Sequence, residues 1–247
     1  MFYFLLAPLL AYNWILIFAA VIPAAVLMVY VYRSDRLEAE SPSLLFRLAV
    51  SGVLSTFIAM LIEWIAGAIL DHSVSPYSTA YYVILYFIIV AYAEEGAKYF
   101  MLYRRTWNSP EFNCLYDGVV YAVFLSLGFA IWENISYVMH YGFATALVRA
   151  VTAIPGHACF GIFMGVFYGL SKGSSIAGDQ AKTKLYKVLT LIVPAFIHGL
   201  YDYIASMQSS KGTGLFVVFI IILFFISFML VKRMSANDRY FGRNRYY

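Results

Sequence analysis

The stretch YYVILYFIIVAYAEEGAKYF (Tyr81–Phe100) begins with an uncharged apolar run and ends on two adjacent glutamates and a lysine. With its flanking residues the run is long enough for a helix to cross the roughly 30 Å hydrocarbon slab of a bilayer. Glu94, Glu95 and Lys98 then lie at membrane depth. Each such group costs about 2.5–3.5 kcal/mol on insertion scales, so its presence needs a physical reason.

The rest of the chain has the same character. Hydrophobic residues make up 63% of the 247 and charged residues 12%, and the mean hydropathy is +0.77. That excludes an ordinary soluble domain and predicts an all-α polytopic bundle, read as a single membrane domain over 1–247 with a motif-bearing core at 77–207. Seven spans are expected, near 3–32, 45–70, 77–103, 115–139, 147–171, 186–207 and 214–231. The opening MFYFLLAPLLAYNW lacks a basic start and reads as a retained helix rather than a cleaved leader. Cys114 and Cys159, expected on different helices, have no CxxC spacing and predict neither a disulfide framework nor a thiolate metal site.

Lysine and arginine set the orientation. With the N-terminus outside and the C-terminus cytoplasmic, every lysine and arginine except Lys98, Arg149 and Lys211 falls on the inner side. The tail NDRYFGRNRYY mixes arginine with aromatics and is expected at the inner lipid interface, with a solvated basic tail as the alternative.

Several polar groups share the depth of Glu94. At about 1.5 Å per residue, Glu94 lies roughly 15 Å from Arg104, and His198 roughly 16 Å from Lys187. Glu133 beside Asn134, and His157, fall at overlapping depths on two further helices. Residues four apart share a helical face, which groups Glu94 with Lys98, Phe129 with Glu133, and His198 with Asp202. A Glu94–Lys98 pair serves one carboxylate and leaves Glu95 without a partner on its own helix. His198 with Asp202 places a carboxylate where it can orient an imidazole. Glu63 lies on the second span and reads as a cavity-lining group, and Asp117 as a helix-start residue. Gly161, Gly165 and Gly169 form a GxxxGxxxG stripe for close helix packing.

Four pieces taken together, EEGAK (Glu94–Lys98), YDGVVYAVFLSLGFAIWEN (Tyr116–Asn134), RAVTAIPGHACFGIFMG (Arg149–Gly165) and PAFIHGLYDY (Pro194–Tyr203), resemble the PrsW-type intramembrane proteases. That family is related to the CAAX prenyl endopeptidases. The resemblance implies a multi-pass protease of the cell membrane that makes the first cut in a single-pass anti-sigma factor. It also implies Glu94, Glu95, His157 and His198 as the catalytic set, with Lys98, Phe129 and Asn134 in support. The prenyl endopeptidase branch typically carries histidine at the position of Glu133 and asparagine at that of Asp202, so its mechanism does not transfer unchanged.

Two routes to hydrolysis fit these residue types. In one, Glu133, His157, His198 and Asp202 hold a divalent metal, zinc foremost, and Glu94 or Glu95 takes a proton from water. In the other, a glutamate activates water directly and the histidines stabilise the oxyanion. The metal route is preferred, because converging acids and imidazoles in lipid need a cation among them. Rival readings are an aspartyl pair of Asp117 and Asp202, a Ser126–Lys98 pair, and a proton- or cation-coupled transporter with a midplane site. The expected partners are a membrane-protein substrate and lipid, with no nucleic acid.

Overall fold

The computed structural model describes residues 2–242, and side-chain surroundings from Trp14 onward. The helices are α1 (Phe2–Arg33), α2 (Pro42–Ser73), α3 (Thr79–Val83), α4 (Ala91–Thr106), α5 (Asp117–Tyr141), α6 (Phe143–Val151), α7 (Ala153–Ile176), α8 (Gln180–Ala205) and α9 (Ser210–Ala236). A π-helical segment, Ile84–Val90, joins α3 to α4 without a break. Among the described residues seven stretches are long and apolar enough to cross a membrane, as expected: Trp14–Arg33 of α1, α2, Thr79–Thr106, α5, Phe143–Ile176, α8 and α9.

Local chemistry explains the ends. Ser41 caps α2, its Oγ accepting the Leu44 N–H, and Pro42 follows where a missing N–H does no harm. Ser78, Asp179 and Ser209 cap α3, α8 and α9 in the same way. The fifth span differs from its expected outline: it begins at Phe143 and is broken at Thr152 into α6 and α7. Gly142, with φ of 81°, makes the sharp turn from α5 into α6.

α5 is the axis. Its apolar window is 72% buried, against 17% for α9, whose Ile221, Ile222 and Phe225 face outward as a lipid-contacting helix should. α5 packs against α7, α2 and α1. Two seams of small residues permit this. A Cβ on Gly161 would sit 2.9 Å from the Ser126 Cβ, and one on Gly118 would sit 2.7 Å from the Gly165 carbonyl oxygen. The α2–α5 seam is tighter still, with Gly128 against Ala49 and Gly52 against Leu125.

One smaller expectation needs correction: Cys114 lies in the loop before α5 rather than on a helix, although both cysteines are free and buried. The tail, where it is described, is held against the loop before α5. The Leu115 N–H donates to the Arg239 carbonyl at 3.1 Å and the Phe241 N–H to the Asn113 carbonyl at 2.7 Å, while Phe241 meets Phe112 edge-on. The end of the tail, 243–247, lies outside the described residues.

Gly165→Leu should therefore force α7 from α5 and destabilise the protein by about 3 kcal/mol or more, as overpacked cores do. Gly96→Ala, with open space at the new methyl, should be neutral. Thermal unfolding in detergent checks both, and equal melting temperatures for the two variants would contradict the close-packed seam.

Candidate active site

The site is built around Lys98. Its side chain is fully buried, and its Nζ donates to Glu95 Oε1 at 2.8 Å and Glu94 Oε2 at 3.1 Å. It also lies 3.2 Å from His157 Nδ1 and 3.9 Å from the centre of the Phe129 ring. The single pair expected for Glu94 is thus a shared one, and Glu95 has a partner on its own helix after all. The reason is geometric: i,i+3 and i,i+4 positions both reach the same flexible ammonium. Phe129 supplies the remaining face as a cation–π platform.

From Lys98 a polar chain runs in both directions. On one side Glu95 Oε1 lies 2.9 Å from His198 Nδ1, and His198 Nε2 lies 3.3 Å from Asp202 Oδ2. Phe160 stacks on the His198 ring with centroids 4.5 Å apart. On the other side His157 Nε2 meets Glu133 Oε2 at 2.7 Å, and Glu133 Oε1 pairs with Arg149 at 3.0 Å. Arg149 Nε donates to Asn134 Oδ1 at 2.8 Å, and its guanidinium lies over Tyr137. An ammonium can only donate, so His157 Nδ1 accepts and its Nε2 carries the hydrogen toward Glu133. The Ser126 Oγ fixes the start of α7 by donating to the His157 carbonyl at 2.7 Å.

These groups surround a cavity of about 400 Å³, lined by Glu63, Glu94, Glu133, His157, His198 and Asp202 among others. All the residues expected at the site converge here, with three qualifications of place. Glu95 and Lys98 lie behind the cavity wall, fully buried, and Asn134 touches Arg149 rather than the cavity. The two histidines enter as separate pairs, His157 with Glu133 and His198 with Asp202, their ring centres 5.5 Å apart. Asp117 lies at the far end of α5, about 24 Å from Glu133 by helical rise, so it forms no aspartyl pair with Asp202. Ser126 and Lys98 are both engaged elsewhere.

Arg149 was not expected at the site, and the break at Thr152 is what brings it to Glu133. Its signal in the sequence was a lone arginine in the apolar stretch that leads to His157. Glu63, expected to line a cavity, does so, and its Oε1 is buried without a hydrogen-bond partner.

The acid-rich cavity leaves room for a further cation. Glu94, Glu95 and His157 each offer a ligand atom within 4.8 Å of the others, but all three already surround the Lys98 ammonium, while Glu63 Oε1 and Glu95 Oε2 are buried with no partner. Five carboxylates, of Glu63, Glu94, Glu95, Glu133 and Asp202, face only two fixed cations, Lys98 and Arg149. Buried excess negative charge of this kind is stable only with further cations or protons.

Comparison with known proteins agrees. Residues 40–231 match the model of the PrsW family intramembrane metalloproteases. The chain belongs to this family. A curated protease PrsW from Geobacillus kaustophilus is 35% identical, covering 82% of this chain and 86% of its own. Those from Halalkalibacterium halodurans and Bacillus subtilis are each 32% identical, covering 91% and 79% of this chain and 99% and 84% of their own. No solved structure matches the chain. Family membership and the seven spans make it an intramembrane protease, a multi-pass integral membrane protein acting on a protein substrate.

Lys98→Ala should leave two buried carboxylates unpaired and destabilise the protein by about 3–5 kcal/mol. Adding Glu95→Gln should recover part of the loss. Melting temperatures of the purified variants give the coupling, and an undiminished penalty in the Glu95→Gln background would show that the ion pair is not what holds this region.

Proposed function

We propose that this protease cuts a single-pass membrane protein of the anti-sigma-factor class on the extracytoplasmic side, using the residues around the 400 Å³ cavity. The observation that carries the reading is the convergence of Glu94, Glu133, His157, His198 and Asp202 from four helices on one space inside a bilayer-spanning bundle. In the N-outside orientation α2, α5 and α8 end on the outer face. Glu63, Glu133, His198 and Asp202 lie in their last third, which supports access from that side.

Hydrolysis needs a base for water, a stabiliser for the oxyanion and a proton for the leaving amine. Glu94 borders the cavity and takes the proton as the water oxygen attacks the scissile carbonyl. Arg149, on the Glu133 side and lining the cavity, is the donor placed for the developing oxyanion. As the C–N bond breaks, the proton held by Glu94 passes to the amine. Glu95 stays out of reach of substrate and sets the position of Lys98 and the His198 ring. Glu133, His157, His198 and Asp202 would hold the metal on the cavity side, and zinc suits their mixed imidazole and carboxylate donors. When bound it acidifies water and polarises the carbonyl.

The transporter reading has less support, since family membership points to proteolysis. Glu94→Gln, His157→Ala and His198→Ala should each lower cleavage of a co-expressed single-pass substrate by about 100-fold or more while the protein stays inserted and folded. Retained cleavage in all three would end this assignment. Chelation should abolish activity and zinc restore it; full turnover in a demonstrably metal-free preparation would remove zinc from the scheme.

A further inference from the structure

A second group of acids gathers at the opposite end of the bundle. Asp35 and Glu40 come from the loop between α1 and α2, and Asp117 opens α5. One carboxylate oxygen from each lies within 4.8 Å of the other two. Glu40 and Asp117 are only 5% and 1% exposed.

Some of their oxygens are already used. Asp117 Oδ2 accepts the N–H groups of Asn113 at 2.9 Å and Cys114 at 2.6 Å, and Glu40 Oε2 accepts the Tyr121 hydroxyl at 2.6 Å. Asp35 Oδ1 receives the N–H of Leu37 at 3.2 Å. Asp117 Oδ1 and Asp35 Oδ2, by contrast, are buried without a hydrogen-bond partner, as is Oδ2 of neighbouring Asp238. Among the described residues no lysine, arginine or histidine pairs with Asp35, Glu40 or Asp117. Lys98 answers the acids of the protease site; here the partners are neutral, the Tyr121 hydroxyl, backbone N–H groups and a hydrogen bond between the Glu40 and Asp117 carboxyls. Burial pushes the Glu40 carboxyl up to about 7, against the lowering effect of its hydrogen bonds to Tyr121 and Asp117 and with Asp35 and Glu111 adding to the rise.

We infer that Asp35, Glu40 and Asp117 form a binding site for a hard divalent cation of the magnesium–calcium class, separate from the protease centre. Oxygens up to 4.8 Å apart can share one ion, because bonds of about 2.3–2.6 Å on opposite sides of calcium span that distance. The donors are all oxygen, which selects hard cations over zinc. Cys114 does not alter this, since burial raises its thiol and keeps it protonated. A bound ion would tie the α1–α2 loop to the first turn of α5. The tail is joined to the same point, because Asp238 Oδ1 accepts the Tyr116 N–H at 2.8 Å.

Equilibrium dialysis of the full chain in detergent, after chelator treatment, against calcium chloride or magnesium chloride alone, tests this directly. One ion per chain is expected at ion concentrations up to about 10⁻³ M. Glu40→Gln and Asp117→Asn should weaken binding about tenfold or more. Asp35→Asn, in a partly exposed loop where loss of the fold is not at issue, should do the same. The double variant Glu94→Gln/His157→Ala should bind as the parent does. Absence of both ions from the parent chain would overturn the inference, as would undiminished binding in Asp35→Asn or loss of binding in the protease-site double variant.

Discussion

One buried ammonium organises the protease half of this bundle. Lys98 holds two glutamates of its own helix and an imidazole of α7, and lies over an aromatic ring of α5, so three polar side chains that would be separately expensive in lipid share a single ammonium. Removing charged groups from water is repaid only when geometry is good and remaining polar atoms are bonded. Here the geometry is met by a flexible stem that lies on Phe129. The deficit left over, carboxylates outnumbering cations, gives the cavity its appetite for a metal or for protons.

The axis α5 joins the two charged regions of the molecule. Its glycines let α2 and α7 come to backbone contact, which places Glu133 and His157 within hydrogen-bond reach near one end. At its other end Asp117 fastens the preceding loop by accepting two backbone N–H groups. The same helix thus serves as the rigid support for both, and rigidity matters because a site misplaced by an ångström loses much of its effect.

Much of this was legible in the sequence. Hydropathy located seven spans because a bilayer permits almost nothing else. Four-residue spacing disclosed the Glu94–Lys98 and His198–Asp202 contacts, both of which lie on one helix face. Contacts between helices were not legible. Glu95 with His198, and Glu133 with His157, depend on which helices neighbour one another, and local periodicity carries no such information. Arg149 escaped for a related reason: its pairing follows from the break at Thr152, where the chain leaves the regular path assumed for an uninterrupted span. Asp117 read as a helix-start residue, because its neighbours Asp35 and Glu40 sit across a loop whose fold had no local signal.

The wide turn at Ile84–Val90 has a consequence for register. A π segment takes one residue more per turn than an α-helix would, so everything after it is rotated by about 100° relative to an uninterrupted helix. Gly199 of α8 nestles against Phe87 within that turn, and a side chain there would collide with it. The angular setting of Glu94 and Glu95 is consequently fixed not where they stand but one to two turns earlier, by a bulge braced on the helix that carries His198. Evolution or design could retune the acids of this enzyme by adding or deleting one lipid-facing residue, without touching a polar atom.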